Sequence, residues 1–158
     1  MKKNYNLYIG KAGHLTIMAE FLTRGWNVAI PEVDIGDDIF VVQDDNGELQ
    51  RVQVKTSTAT VRKNGYSGQF NVQLDQLKNY NKGLIYYVFM VRNNNQWAKP
   101  LIIRQDNLLE HFKNEKIGSE YKGHLNLRFS YSKDKVECSG VDFSKYVSDF
   151  TDFPLIED

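Results

Sequence analysis

The chain has 158 residues, 41% hydrophobic and 25% charged, and its 20 basic and 20 acidic side chains cancel to zero net charge. That length suits one domain with a single core, and the composition excludes a disordered, collagen-like or disulfide-scaffolded chain. Cys138 is the lone cysteine, no basic-then-apolar leader opens the chain, and the longest apolar run is too short to cross a bilayer. A single cytoplasmic domain over residues 1–158, with no membrane role, is therefore expected.

Apolar residues recur at helical spacing from Ala12 to Arg24 (Leu15, Met18 and Leu22, flanked by Ile17, Ala19 and Phe21), and Gly25 is a stop. Strands are expected at Trp26–Ile30, Asp38–Gln43 and Leu49–Ser57, and a helix over Val72–Tyr80 with a weak apolar pattern. The run Leu84–Val91 (LIYYVFMV) reads as a buried strand, followed by a turn at Asn93-Asn94-Asn95 and a strand at Trp97–Ile103. Asp106 is placed to cap a helix through Lys116, LNLRFSY and KVECSG form a closing hairpin, and the acidic, aromatic tail from Asp142 packs as a short helix or lies loose. The order gives an α/β chain with a mixed central β-sheet flanked by helices: a core over about residues 10–103, then a C-terminal helix, hairpin and tail over about 104–158.

Charge is unevenly spread. Arg51 to Lys82 holds six cations and one anion, whereas residues 134–158 hold two cations and seven anions. A basic middle suits phosphate contact, and on charge alone a solvated surface accounts for it equally well.

The sharpest local signal is the hairpin around DDNGE. Asn46-Gly47 is the favoured pair for a two-residue type I′ turn, which sets Val41 opposite Val52, Phe40 opposite Gln53, Ile39 opposite Val54 and Asp38 opposite Lys55. One face is then apolar (Ile39, Val41, Val52, Val54), and the other carries Asp38, Gln53 and Lys55. A carboxylate, an amide oxygen and an ammonium converging on a sheet surface suit phosphodiester hydrolysis with Mg²⁺, although on the hairpin alone an ordinary surface Asp–Lys cross-strand pair is the simpler account.

Four ordered segments carry a resemblance: Gly10-Lys11-Ala12-Gly13-His14-Leu15, Arg24-Gly25-Trp26-Asn27-Val28, the stretch from Pro31 through Asp34, Gly36 and Asp37 to Asp38, and Val52-Gln53-Val54-Lys55-Thr56. Together they resemble the PD-(D/E)xK nuclease superfamily, the restriction endonuclease-like fold, in its small standalone members with Gln at the usual acid of the third motif. The resemblance implies a metal-dependent endonuclease acting on DNA, with Asp38 as principal metal ligand, Gln53 as a second ligand through its amide oxygen, Val54 contributing its carbonyl, and Lys55 as the catalytic lysine. Such families place Glu where this chain has His14, a softer donor that shifts preference from Mg²⁺ towards Mn²⁺. On a helical wheel His14 falls in the apolar arc with Met18, Phe21 and Leu22, where it can face the sheet or serve as a half-buried structural histidine. Glu20, Asp34 and Asp37 are second-line carboxylates.

Thr56, Ser57, Arg62 and Lys63 continue the motif strand as a polar, basic segment suited to phosphate contact. Cutting both strands of a duplex would favour a homodimer. Two further readings stay open: a nucleic-acid-binding module that has lost catalysis, because Gln53 and His14 stand where carboxylates are expected, and a protein-interaction domain, because net charge is zero.

Overall fold

The computed structural model describes residues 4–33, 36–81 and 83–157. Helix α1 (Tyr5–Thr23) buries one residue every fourth position, Ile9, Gly13, Ile17 and Phe21, so a narrow stripe faces the sheet beneath it. Gly13 belongs to that stripe because a Cβ there would overlap the Thr56 methyl. The helix ends in a Schellman motif: Gly25, at φ +85°, donates its N–H to the Leu22 carbonyl at 3.0 Å, and Trp26 donates to that of Phe21 at 3.1 Å. Two expectations are corrected. The helix begins at Tyr5 instead of Ala12, and Leu15 and Leu22 face solvent, because the stripe follows Ile17 and Phe21.

Among the described residues the strands form two six-stranded sheets. The first contains β1 (Asn27–Ala29), β2 (Ile39–Gln43), β3 (Glu48–Thr58), β6 (Ile85–Asn93) and β7 (Gln96–Trp97) in that order, with β8 (Leu101–Arg104) also paired to β6. It is mixed: β3 and β6 are parallel and the other pairs antiparallel. The second is antiparallel, ordered β12 (Val141–Asp142), β11 (Val136–Cys138), β10 (His124–Tyr131), β5 (Gly65–Gln73) and β4 (Thr60–Arg62), with β9 (Ser119–Tyr121) on β10.

The α/β class and mixed central sheet are as expected, but helices do not cover both faces. One face packs Val52, Val54, Val88 and Met90 against Ile17 and Phe21 of α1 and against Phe150 and Phe153 of the tail. The other packs Tyr87, Phe89 and Val91 against Phe70, Leu127 and Phe129 of the second sheet. β6 is apolar throughout because both of its faces are covered. Strand β5 takes in Val72 and Gln73, the start of the expected helix, of which only α2 (Leu74–Lys78) forms. The tail is core: Phe153 lies 4.8 Å from Phe21 and 5.5 Å from Trp26, ring centre to ring centre, and the Trp26 indole N–H donates to the Pro154 carbonyl at 2.8 Å.

Helix α3 (Gln105–Glu110) runs into a wider π turn at His111–Glu115. Gln105 is buried, donates to the carbonyls of Gln76, Leu77 and Asn79 and accepts from the Ile85 N–H. This one amide closes the end of α2 and anchors it beside the start of β6. No helix among the described residues is long and apolar enough to cross a membrane.

Candidate active site

The β2–β3 hairpin turns through four residues. Gly47, at φ +69°, donates to the Gln43 carbonyl at 2.9 Å, the Gln43 side chain accepts from the Asn46 N–H, and the Asn46 side chain accepts from the Glu48 N–H. Ile39 therefore pairs with Val52 and Gln43 with Glu48, two residues away from the register of a two-residue turn. A slip of two preserves which face each side chain occupies, so Ile39, Val41, Val52 and Val54 are buried together as expected. It takes Asp38, just before β2, out of the expected pairing with Lys55: its N–H donates to the Val52 carbonyl at 2.9 Å and its carboxylate accepts from the Gln53 amide.

β3 runs on past the start of β2, and the Asp38 carboxylate occupies the place where a partner strand would continue. Its Oδ2 accepts from the Val54 N–H and from the Gln53 side-chain amide, each at 2.7 Å, and lies 3.6 Å from His14 Nε2. Asp38 is 12% exposed and His14 20%, so both sit at the mouth of the sheet edge beneath α1. His14 thus reaches the site, as its place on the helical wheel allowed.

Gln53 and Lys55, two residues apart on one face of β3, line a cavity of about 610 Å³ with Arg51, Gln73, Asp75 and Gln76. Gln76, on α2, fixes the Gln53 amide. Its NH₂ donates to the Gly36 carbonyl at 2.7 Å and to Gln53 Oε1 at 3.2 Å, while its own oxygen accepts from the Tyr87 hydroxyl at 3.1 Å. Burial raises the Tyr87 pKa above the ordinary tyrosine range, so the phenol stays a donor. Local pattern does not single out Gln76, one of several polar residues in the helix expected over Val72–Tyr80; its place follows from α2 starting only at Leu74, after a strand that alternates through Phe70 and Val72.

Asp37 is 2% exposed, and both its oxygens are taken by Arg51: Nε to Oδ2 at 2.8 Å and Nη2 to Oδ1 at 2.7 Å. This bidentate pair ties the turn before β2 to β3 and accounts for one cation of the basic segment. Glu20 pairs with Arg24 one turn along α1 at 3.2 Å. Asp34 lies outside the described residues. Thr56 faces α1 under Gly13, and the Ser57 hydroxyl accepts from the Gln69 N–H at 3.1 Å, bridging β3 to β5. Arg62 donates to Ser67 Oγ at 3.0 Å, and Lys63 sits in the exposed β4–β5 turn. That turn is at the opposite end of β5 from Gln73, roughly 25 Å along the strand at ~3.3 Å per residue, so Arg62 and Lys63 do not border the Lys55 cavity.

Among the described residues no three His, Cys, Asp or Glu side chains are grouped to hold a metal. A hard cation needs less: Mg²⁺ binds through one or two carboxylates, keeps waters and completes its shell with substrate phosphate. Asp38 supplies one carboxylate. An extended residue presents its N–H and C=O to the same side, so the Val54 carbonyl faces the same edge as the N–H bonded to Asp38. The Gln53 oxygen is turned to Gln76 and would join only after its amide rotates. These donors fit a single-carboxylate site for an oxygen-seeking cation, with His14 as the softer neighbour.

No protein-family model matches the chain, and no curated protein does. Among solved structures it is similar to a bacterial homing endonuclease, I-Ssp6803I, at 17% identity and a TM-score of 0.55, over 90% of this chain and 86% of that one. The likeness shows a shared fold.

Proposed function

We propose that this chain is a metal-dependent endonuclease that hydrolyses phosphodiester bonds in DNA. The observation that carries the reading is the meeting of the Asp38 carboxylate with Gln53 and the Val54 backbone at one sheet edge, beside a cavity lined by Lys55. The fold shared with a homing endonuclease supports it.

Asp38, the Val54 carbonyl and the rotated Gln53 amide would hold Mg²⁺ or Mn²⁺. Bound there, such a cation would supply Lewis-acid polarisation of the scissile phosphate. The remaining work belongs to the chain itself. Lys55 brings an ammonium to the cavity that receives the phosphate, where it orients the attacking water and offsets negative charge growing on the phosphate oxygens. Gln76 governs which atom of Gln53 faces Asp38. The Asp37–Arg51 pair holds the turn that carries Asp38, so the carboxylate is positioned before substrate arrives.

One observation favours a second reading, a DNA-binding module without catalysis: Gln53 presents its NH₂ to Asp38, and His14 and Gln53 bring no second carboxylate to the site. Mn²⁺ titration followed by electron paramagnetic resonance separates the two. The nuclease reading expects saturable binding that Asp38→Ala abolishes; DNA affinity indifferent to metal, with no Mn²⁺ bound, supports the module.

A further inference from the structure

The outward face of the β5–β10 pair carries side chains that the candidate site does not use. Strict alternation buries Phe70, Val72, Leu125, Leu127 and Phe129 and turns Gln69, Asn71 and Gln73 outward on β5, with His124, Asn126 and Arg128 on β10. These six meet as cross-strand pairs: Gln73 with His124, Asn71 with Asn126 and Gln69 with Arg128. The two strands contain no Asp or Glu. β9 pairs β10 only at His124–Asn126 and β11 only at Phe129–Tyr131. The gap between them opens a depression of about 500 Å³, lined by Gln69, Ser119, Asn126, Arg128, Ser130 and Ser139.

Packing does not explain this choice of residues. Asn is among the poorer strand formers, and a face selected only for sheet stability would carry β-branched or aromatic residues, yet two Asn stand directly opposite each other in mid-strand. The side chains of Gln69, Asn71, Asn126 and Arg128 make no hydrogen bond to the described residues of the protein, so their donors and acceptors are open to a partner. Carboxamides match the paired donor and acceptor on the major-groove edge of adenine, and a guanidinium matches the two acceptors of guanine. Arg62, bonded to Ser67 on β5, and Arg128 give the face two cations suited to an anionic partner, and Glu137, opposite Ser130 on β11, is offset by Lys135 at 2.7 Å.

The face is also continuous with the cavity. Gln73, at the end of the face, lines it beside Lys55. From Gln69 to Gln73 is roughly 13 Å at ~3.3 Å per residue, the rise of about four base-pair steps. We infer that this amide-rich face reads base edges of duplex DNA, with Asn71, Asn126 and Gln69 directed at adenine and Arg128 at guanine, next to the phosphate held in the Lys55 cavity. The inference takes its partner from the nuclease reading and adds where sequence preference resides.

The test is selection from a randomised duplex pool in EDTA, by the wild-type protein, by the Asn71→Thr, Asn126→Thr double variant and by Arg128→Lys. Threonine favours strands and lysine keeps the charge, and thermal unfolding checks that each variant is folded. The wild type enriches a short motif. The double variant loses preference roughly 5- to 100-fold at adjacent positions, and Arg128→Lys does so at a G·C pair. The salt dependence of affinity, set by phosphate contacts, is unchanged in both. Folded variants that enrich the same motif as strongly as the wild type overturn the inference, as does a wild type that enriches none. If DNA is cut while selection is unaltered, base readout falls and the nuclease reading stands. If the wild type neither binds nor cuts DNA, both fall.

Discussion

Arg51→Met removes the partner of a carboxylate that is 2% exposed and keeps most of the volume of the side chain. Two charge-assisted hydrogen bonds are lost, at 2.8 and 2.7 Å, and Arg51 itself is only 17% exposed, so solvent does little to screen the pair. Removing one member of such a pair strands a buried charge and costs about 3–5 kcal/mol. For a chain of this size that lowers Tm by roughly 6–20 °C, at about 2–4 °C per kcal/mol. Asp37→Asn added to Arg51→Met removes the stranded charge, so the double variant recovers most of the loss, and the cycle yields a coupling of at least about 2 kcal/mol. Urea unfolding of the four proteins measures it. A single Arg51→Met variant within about 1 kcal/mol of the wild type, or a double variant no more stable than that single one, refutes the reasoning.

Gly13→Ala places a methyl against that of Thr56 and destabilises by about 1–3 kcal/mol although alanine is the better helix former; Thr56→Ser, which removes the methyl, restores stability in calorimetry. Phe153→Ala empties the ring cluster with Phe21, Trp26 and Tyr86 and costs about 3–5 kcal/mol in urea unfolding, where a loose tail would cost nothing. Burial raises the hydroxyl pKa values of Tyr86, Tyr87 and Tyr131 above the ordinary tyrosine range, so the folded protein keeps protons that the unfolded chain releases near pH ~10. Their contribution is intact below that pH and falls as pH rises through it, so alkaline titration shows stability declining there and three of the nine tyrosines ionising only on unfolding.

Much of the site was legible because strand alternation has period two. Asp38, Gln53 and Lys55 were separable from Val52 and Val54 before any register was known, and a slip of two left that separation intact. The register itself was not legible: Gln43 and Asn46 side chains hold a longer loop that the Asn-Gly pair alone does not announce. β6 declared itself by an unbroken apolar run, whereas β5 was hidden by Gly65 and Gly68 and by a polar outward face. Gly68 is there because a Cβ would crowd Val91 on the facing sheet, a constraint visible only once the two sheets are together. The placement of the tail depends on Phe21 and Trp26, more than a hundred residues earlier, and local pattern carries no trace of that contact.

The most direct measurement is incubation of wild-type and Lys55→Ala protein with linear, supercoiled, single-stranded and branched DNA in Mg²⁺, Mn²⁺ or EDTA. The account predicts metal-dependent cutting of at least one substrate by the wild type, abolished by EDTA and by Lys55→Ala. Cutting that persists in EDTA or in the variant, or no cutting of any substrate in either metal, would contradict it.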